Sequence, residues 1–338
     1  MRRFTVFSTL GLSNRLKVLA SGQVLAAAAG AELELLWPLT DACAAPFDAL
    51  FAAPRDPRVT IRTVDEAAVA GLPSYVGWGA APPDLLRARG PHTVVGHMSW
   101  LVRPDLYAGH IPLWPAVGPA LSSVTPIAPL SARIEAFVAE HFRPFVIGVH
   151  LRRGDFHTER PDAVGNTAAA LARVDQHLQT HRDAAVFLCT DEAVDAPAPS
   201  LRAVFAARYG ERMLPAATTN LTRDSLAGIE DAVVDLFLLR MTHLVIGTAS
   251  SSFSALAAFG RDVTFEETDG TGHSHSDLLE RRLGRLGLRG LVMRLARHEL
   301  GHEPPTFEAA WRSVVDSRWG ASAARPVRRL LAHWRRWR

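Results

Sequence analysis

At 338 residues the chain exceeds one ordinary α/β core and has room for two domains, and its 48% apolar and 21% charged residues exclude a mostly disordered chain. The net charge of +3 is unevenly spread: from residue 277 onward 14 arginines face 6 acids, about +8, so the remainder carries about −5, which argues against a basic nucleic-acid-binding body. No stretch reaches the roughly 18 apolar residues that a membrane span needs.

Phe4-Thr5-Val6-Phe7 reads as a first strand, Gly11-Leu12-Ser13-Asn14-Arg15-Leu16 as a turn, and an Ala/Leu-rich helix follows to about Gly30. Strand, Gly-containing turn and helix start form the ligand-facing corner of a Rossmann-like unit, a corner that also occurs in α/β proteins with nothing bound there. Met1-Arg2-Arg3 and the apolar residues after it imitate a signal peptide, but Asn14, Arg15 and Lys17 interrupt the run. Two cysteines, Cys43 and Cys189, make no disulfide framework. A reducing, cytoplasmic setting is therefore expected.

Leu33–Trp37, Val59–Arg62 and Thr93–Gly96 read as further strands between Pro/Ala/Gly-rich loops. Residues 100–129 are rich in Pro and aromatics, and a helix is expected over 131–141. Pro144 marks the expected domain boundary, with residues 1–143 as one Rossmann-like domain, 144–300 as a second and 301–338 as a basic helical tail. In the second half, strands at 145–150, 185–190 and 244–247 alternate with helical stretches near 167–181 and 201–209, which is β/α winding.

Three segments of that half end in chemistry-bearing residues. Val146-Ile147-Gly148-Val149 runs directly into His150, Arg152 and Arg153, with Asp155 just beyond, so two guanidiniums sit at the carboxyl end of a buried strand, where an open α/β sheet takes its ligands. Arg forks bind phosphate oxygens in pairs, although an Arg-rich strand end can equally be a solvated rim. Asp191 follows the next strand, able to accept a sugar hydroxyl or to cap a helix. Asp231–Leu239 reads as an amphipathic helix bearing Asp235, and after the strand 244–247 the run Thr248-Ala249-Ser250-Ser251-Ser252 opens another helix with room for a phosphate.

His150-Leu151-Arg152-Arg153-Gly154-Asp155 resembles the His-x-Arg-Arg-x-Asp motif of the superfamily of α1,2-, α1,6- and protein O-fucosyltransferases, which includes bacterial nodulation-type enzymes. Gly11-Leu12-Ser13-Asn14 is similar to the Gly-x-x-Asn segment of that family, with Ser13 where many members have Gly. The helix with Asp235, the strand and the Thr-x-Ser-Ser turn follow in the family's order, so the resemblance spans roughly residues 10–258. It implies a GT-B-like fold, two Rossmann-like α/β domains facing across a cleft, and an inverting, metal-independent transferase that moves fucose from GDP-fucose to a glycan hydroxyl.

Carried over by position, Arg152 would hold the β-phosphate and His150 the base or ribose. Asp235 would accept the guanine N1–H and N2–H, Ser251, flanked by Ser250 and Ser252, would meet the pyrophosphate, and Asp191 would accept a hydroxyl. Gly11, Asn14 and Arg15 would approach the donor sugar from across the cleft, and Arg153 would bind or brace the strand end. Glu159 and Asp155 are the candidates for the base that takes the acceptor proton. The implied partners are a GDP-sugar donor and a glycan or lipid-linked glycan acceptor, with neither a cofactor nor nucleic acid.

Two other functions stay open. A GDP-sugar-binding protein without transfer would keep the same site. His298-Glu299-Leu300-Gly301-His302 fits the His-Glu-x-x-His signature of zinc hydrolases, but Gly301 separates the ligands and Pro304-Pro305 end the helix at once. At the end of the chain, Val327, Leu330, Leu331 and Trp334 share a helical spacing with six arginines from 325 onward, a basic amphipathic segment (325–338) suited to an anionic membrane surface or to packing on the protein.

Overall fold

The computed structural model describes residues 2–273 apart from 77–80, 105, 155–166, 193–198, 221, 250, 262 and 269–271. The alternative zinc-type motif at 298–302, the basic segment 325–338, and Asp155, Glu159 and Ser250 lie outside the described residues.

Two five-stranded sheets are built in succession. The first has the order β3 (Val59–Asp65), β2 (Ala31–Leu39), β1 (Arg2–Phe7), β5 (His92–His97), β4 (Ser74–Tyr75), and all its pairs are parallel. The second has the order β10 (Gly272–His273), β9 (Thr264–Glu267), β8 (Leu244–Gly247), β6 (Val146–Leu151), β7 (Ala185–Thr190), parallel except for the β9–β10 edge pair. All six residues of β6 are buried, as its continuous apolar run requires of a strand covered on both faces.

The order of strands decides where a ligand can sit. After β1 the chain pairs β2 on one side and later β5 on the other, and after β6 it pairs β7 on one side and β8 on the other. At such a reversal the connections leave in opposite directions and open a crevice at the carboxyl end of the strand. The turn after β1 and the turn after β6 are those two crevices. Helix α1 (Leu12–Ala29) starts in the first of them and ends at Gly30, whose left-handed φ of 61° lets its N–H close on Ala26 and Ala27 carbonyls.

The two halves are held together by side chains from the middle of the chain. The Pro-rich stretch with no expected element contains α2 (Trp114–Ser122). Pro115 falls in its first turn, where backbone N–H groups lack helical partners, and Pro119 gives up one further donor. Trp100 and Trp114 of the first half enclose Phe259 of the second at 4.3 and 5.2 Å between ring centroids. Helix α3 (Ala128–His141), three residues longer at its start than expected, sends Arg133 to an ion pair of 2.5 Å with Asp231. Between these contacts α2 touches the second half backbone to backbone. Gly260 adopts φ +74°, and a Cβ there would lie 2.6 Å from the Gly118 Cα. Gly260→Ala is therefore expected to destabilise the protein by roughly 2–4 kcal/mol through left-handed strain and overpacking together, read as a lowered midpoint in chemical denaturation.

Among the described residues the remaining α-helices of the second half are α4 (Thr167–Thr180), α5 (Leu201–Tyr209), α6 (Leu226–Met241) and α7 (Ser252–Ala258). Helix α6 begins five residues before the expected Asp231, because the Ser225 hydroxyl accepts the Gly228 N–H at 3.1 Å and caps it there.

Candidate functional site

Immediately beyond β6 the chain turns, and the turn is pinned from two sides. The Arg152 N–H donates to the Thr248 hydroxyl at 2.9 Å, while the N–H groups of Arg153 and, at 3.2 Å, Gly154 converge on Oδ1 of Asp191. The other Asp191 oxygen lies 3.8 Å from Arg152 Nε and 3.6 Å from Arg223 Nη2. One carboxylate thus fixes the backbone of the turn with one oxygen and faces two guanidiniums with the other. That is more than the hydroxyl acceptor or helix cap that its place after β7 implies.

The adjacent arginines part here. Arg152 lines the cleft. Arg153 turns away and donates to the Thr167 hydroxyl at the start of α4, so it braces the strand end. His150, 6% exposed, lies with its ring against Phe253 at 4.8 Å. Burial lowers its pKa to about 4, opposed by Asp191 and reinforced by Arg152, so the imidazole is neutral near pH 7. Among the described residues its buried Nδ1 meets no hydrogen-bond partner, and neither does the buried hydroxyl of Ser251 at the head of α7. Two orphaned polar atoms in one neighbourhood are costly unless something supplies their hydrogen bonds.

Helix α6 forms the floor. Asp231, one turn before Asp235, takes the Arg133 ion pair and accepts the N–H groups of Thr219 and Asn220 at 3.3 and 3.0 Å, anchoring the loop ahead of the helix. That loop returns Thr218 to Asp235, whose Oδ2 accepts its hydroxyl at 2.9 Å. Burial pushes the Asp235 carboxyl up to about 7; the Thr218 bond opposes this and the nearby Asp231 charge adds to it. At neutral pH this carboxyl can therefore change its protonation state in response to a ligand.

Gly11, Ser13 and Asn14 of the first half form the facing wall, with Ala42, while Ser252, Asp191 and Asp235 line the same pocket from the second half. Arg15 does not join them. One residue after Asn14 on α1, it points about 100° round the helix axis. Its guanidinium is 1% exposed, stacks over Trp37 at 5.1 Å, and donates to the carbonyls of Leu10 at 2.7 Å and of Pro38 and to the Thr40 hydroxyl at 2.8 Å. Among the expected sugar-facing residues Arg15 is thus a correction: it fastens the end of β2 to the turn after β1. Arg15→Met is expected to lower stability by roughly 2–4 kcal/mol in chemical denaturation, since it orphans two carbonyls.

The pocket also contains residues to which the sequence gave no role: Asn220, Thr222, Arg223 and Phe253. Asn220, Thr222 and Arg223 belong to a polar loop with no periodicity, and in a chain whose 37 basic residues are nearly all arginine no single one stands out. Among the described residues no group of three or more His, Cys, Asp or Glu is placed to hold a metal ion.

No protein-family model matches the chain, and no curated protein matches it. Solved structures do. Fucosyltransferase NodZ from Bradyrhizobium superposes with a TM-score of 0.53 at 20% identity, covering 81% of this chain and 98% of that one. NodZ α-1,6-fucosyltransferase soaked with GDP-fucose gives 0.52 at 20% identity, over 82% and 97%. A variant of FUT1 from Arabidopsis thaliana in complex with GDP gives 0.54 at 13% identity, over 79% and 70%. The fold is what these proteins share with this chain: two Rossmann-like α/β halves facing across a cleft, the GT-B-like architecture.

Proposed function

We propose that the protein is an inverting glycosyltransferase that moves fucose from GDP-fucose to a hydroxyl of a glycan acceptor. One observation carries this reading: Arg152 after β6, Asp235 on α6, and Gly11 with the first turn of α1 as far as Asn14 open onto a single pocket between the two sheets. The solved structures that share the fold point the same way, one being soaked with GDP-fucose and another holding GDP.

In this reading guanine enters over α6. Its N1–H and N2–H lie side by side, and one carboxylate, Asp235, accepts both; adenine offers no such pair. The neutral His150 beside Phe253 borders the base or ribose. The Arg152 guanidinium takes the β-phosphate and neutralises charge as it grows on the departing diphosphate, the work that a divalent cation does in other transferases, so no metal is required. Asp191 keeps that guanidinium in place, and Ser251 supplies a hydroxyl to the pyrophosphate. Asn14 approaches the sugar from the opposite wall.

The acceptor oxygen attacks the anomeric carbon from the face opposite the leaving diphosphate, which inverts the centre. Glu159 or Asp155 takes its proton. Residues 1–143 then form the acceptor side, 144–300 the donor side and 301–338 a basic tail. The setting is cytoplasmic, with a lipid-linked or free glycan as acceptor and the segment 325–338 against an anionic membrane. Among the described residues no helix is long and apolar enough to cross a membrane.

The test is a thermal-shift screen of the purified protein with GDP-, UDP- and ADP-sugars. Stabilisation by GDP compounds alone is the expected result. Equal response to all three would remove the guanine assignment, and stoichiometric zinc with activity lost on its removal would turn attention to His298-Glu299-x-x-His302.

A further inference from the structure

A pair of parallel N–H donors is met best by a carboxylate whose two oxygens lie in the donors' plane, and an aspartate left to itself does not hold one plane, because the torsion about its last bond is broad. Asp235 lines the pocket from α6, and the Thr218 hydroxyl donates to its Oδ2 at 2.9 Å. A carboxylate oxygen accepts more than one hydrogen bond, so both oxygens keep capacity for a ligand while the rotation of the group is restricted.

The loop that carries Thr218 is itself fastened. Oδ2 of Asp231 accepts the N–H groups of Thr219 and Asn220 at 3.3 and 3.0 Å, and Oδ1 of the same residue is paired with Arg133 of α3. Gly228 lets the loop lie directly on the first turn of α6, since a Cβ there would fall 1.9 Å from the Thr222 carbonyl oxygen. Further along, the Arg223 carbonyl accepts the Ala44 N–H of the first half at 3.0 Å. The side chain that the loop delivers is β-branched and therefore stiff at its first torsion.

The charged and titratable groups around Asp235 come from four elements: Asp231 one turn earlier on α6, Arg202 on α5, Arg133 on α3 and the buried Cys189 thiol on β7. Burial works most strongly against the ionised carboxylate. Among the groups that favour it, the Thr218 hydroxyl comes ahead of Arg202 and Arg133.

We propose that Thr218 is a positioning residue for the pocket carboxylate: held by the Asp231-anchored loop, its hydroxyl fixes the plane in which Asp235 presents its oxygens. The use of that plane rests on the nucleotide-sugar reading above, in which the oxygens meet the guanine edge. Thr218 acts through Asp235 and not on the ligand.

The experiment is calorimetric titration of wild type, Thr218→Val and Thr218→Ser with GDP between pH 5.5 and 8.5. Melting curves without nucleotide accompany it for wild type, Asp235→Asn, Thr218→Val and the Thr218→Val/Asp235→Asn double variant. Valine keeps the shape of threonine and deletes the hydroxyl, and the Asp231 bonds to the loop backbone remain. The break in the pH dependence of GDP affinity, near pH 7 in the wild type, should move up by about one pH unit in Thr218→Val, with binding about tenfold weaker at pH 6.5. Thr218→Ser should keep the wild-type break, because serine supplies the same donor. Without nucleotide, the gain in melting temperature from Asp235→Asn should level off near pH 7 in the wild-type background and about one pH unit higher in the Thr218→Val background. A break that stays in place in Thr218→Val, or moves as far in Thr218→Ser as in Thr218→Val, would overturn the proposal. The shift in the melting curves combined with GDP affinity indifferent to Asp235→Asn would uphold the positioning and remove the guanine assignment instead.

Discussion

Arg152→Ala is expected to reduce transfer by at least about 100- to 1000-fold, the range seen when one preorganised donor to a developing anion is removed, and to weaken GDP binding about tenfold or more. The fold should survive. One tie of residue 152 to the second sheet is its backbone N–H on the Thr248 hydroxyl, which alanine keeps, and Asp191 retains the two turn N–H groups and Arg223. An unchanged melting temperature with lost turnover, measured on one preparation, is the expected pair of results. Arg153→Ala should give the opposite pair, a lower melting temperature and a smaller effect on turnover, because its side chain reaches Thr167 rather than the pocket.

Asp235→Asn separates binding from stability in opposite directions. The folded protein holds this carboxyl at about 7, well above its usual range, mainly through burial. The folded state therefore binds the proton more readily than the unfolded chain. The penalty for ionising the group is zero below the unfolded pKa, near 3.9, grows as the pH rises towards 7, and stays constant above it. An uncharged asparagine escapes that penalty and can still accept the Thr218 hydroxyl, so at pH 8 the variant should be more stable by roughly 1–3 kcal/mol.

Guanine recognition should collapse at the same time. The amide offers one acceptor and turns an N–H group towards the N–H groups of the base, so GDP affinity should fall about a hundredfold or more. The same ionisation sets the pH dependence of the wild type. With Asp235 as the proposed guanine acceptor, GDP affinity should be flat above about pH 7 and fall about tenfold per pH unit below it, and in Asp235→Asn that slope should vanish. Calorimetry between pH 5.5 and 8.5 together with melting curves of both proteins reads all three effects.

How much of this could be read from the residues differs from one element to the next. The second half was legible because its chemistry falls where buried runs stop: β6 ends at His150 and Arg152, β7 at Asp191, and β8 leads to the Thr248–Ser252 turn, and a parallel sheet brings such ends to one edge. The first strand and the Gly11 corner after it were legible for the same reason, although α1 already begins at Leu12, inside the run read as a turn. Arg15 was not, since a single step along α1 separates a pocket residue from one packed on Trp37, and only the packing around the helix decides which is which. Arg223 was hidden because its position depends on Asp191 and Ala44, both distant in sequence. Helix α2 was hidden because its two prolines read as loop signals, although Pro115 sits where a helix tolerates proline. The short strand β9 has one strongly apolar residue, Phe265, and β4 has two residues in all, too little pattern to register.

The central claim is that one pocket, shared by the two sheets, takes the base at Asp235 and the diphosphate at Arg152. A crystal structure of the protein soaked with GDP tests this most directly. The guanine edge should lie within hydrogen-bond distance of the Asp235 carboxylate and the β-phosphate against the Arg152 guanidinium, with Gly11–Asn14 across the cleft. A nucleotide bound elsewhere, or seated in this pocket with its base turned away from Asp235, would contradict the account.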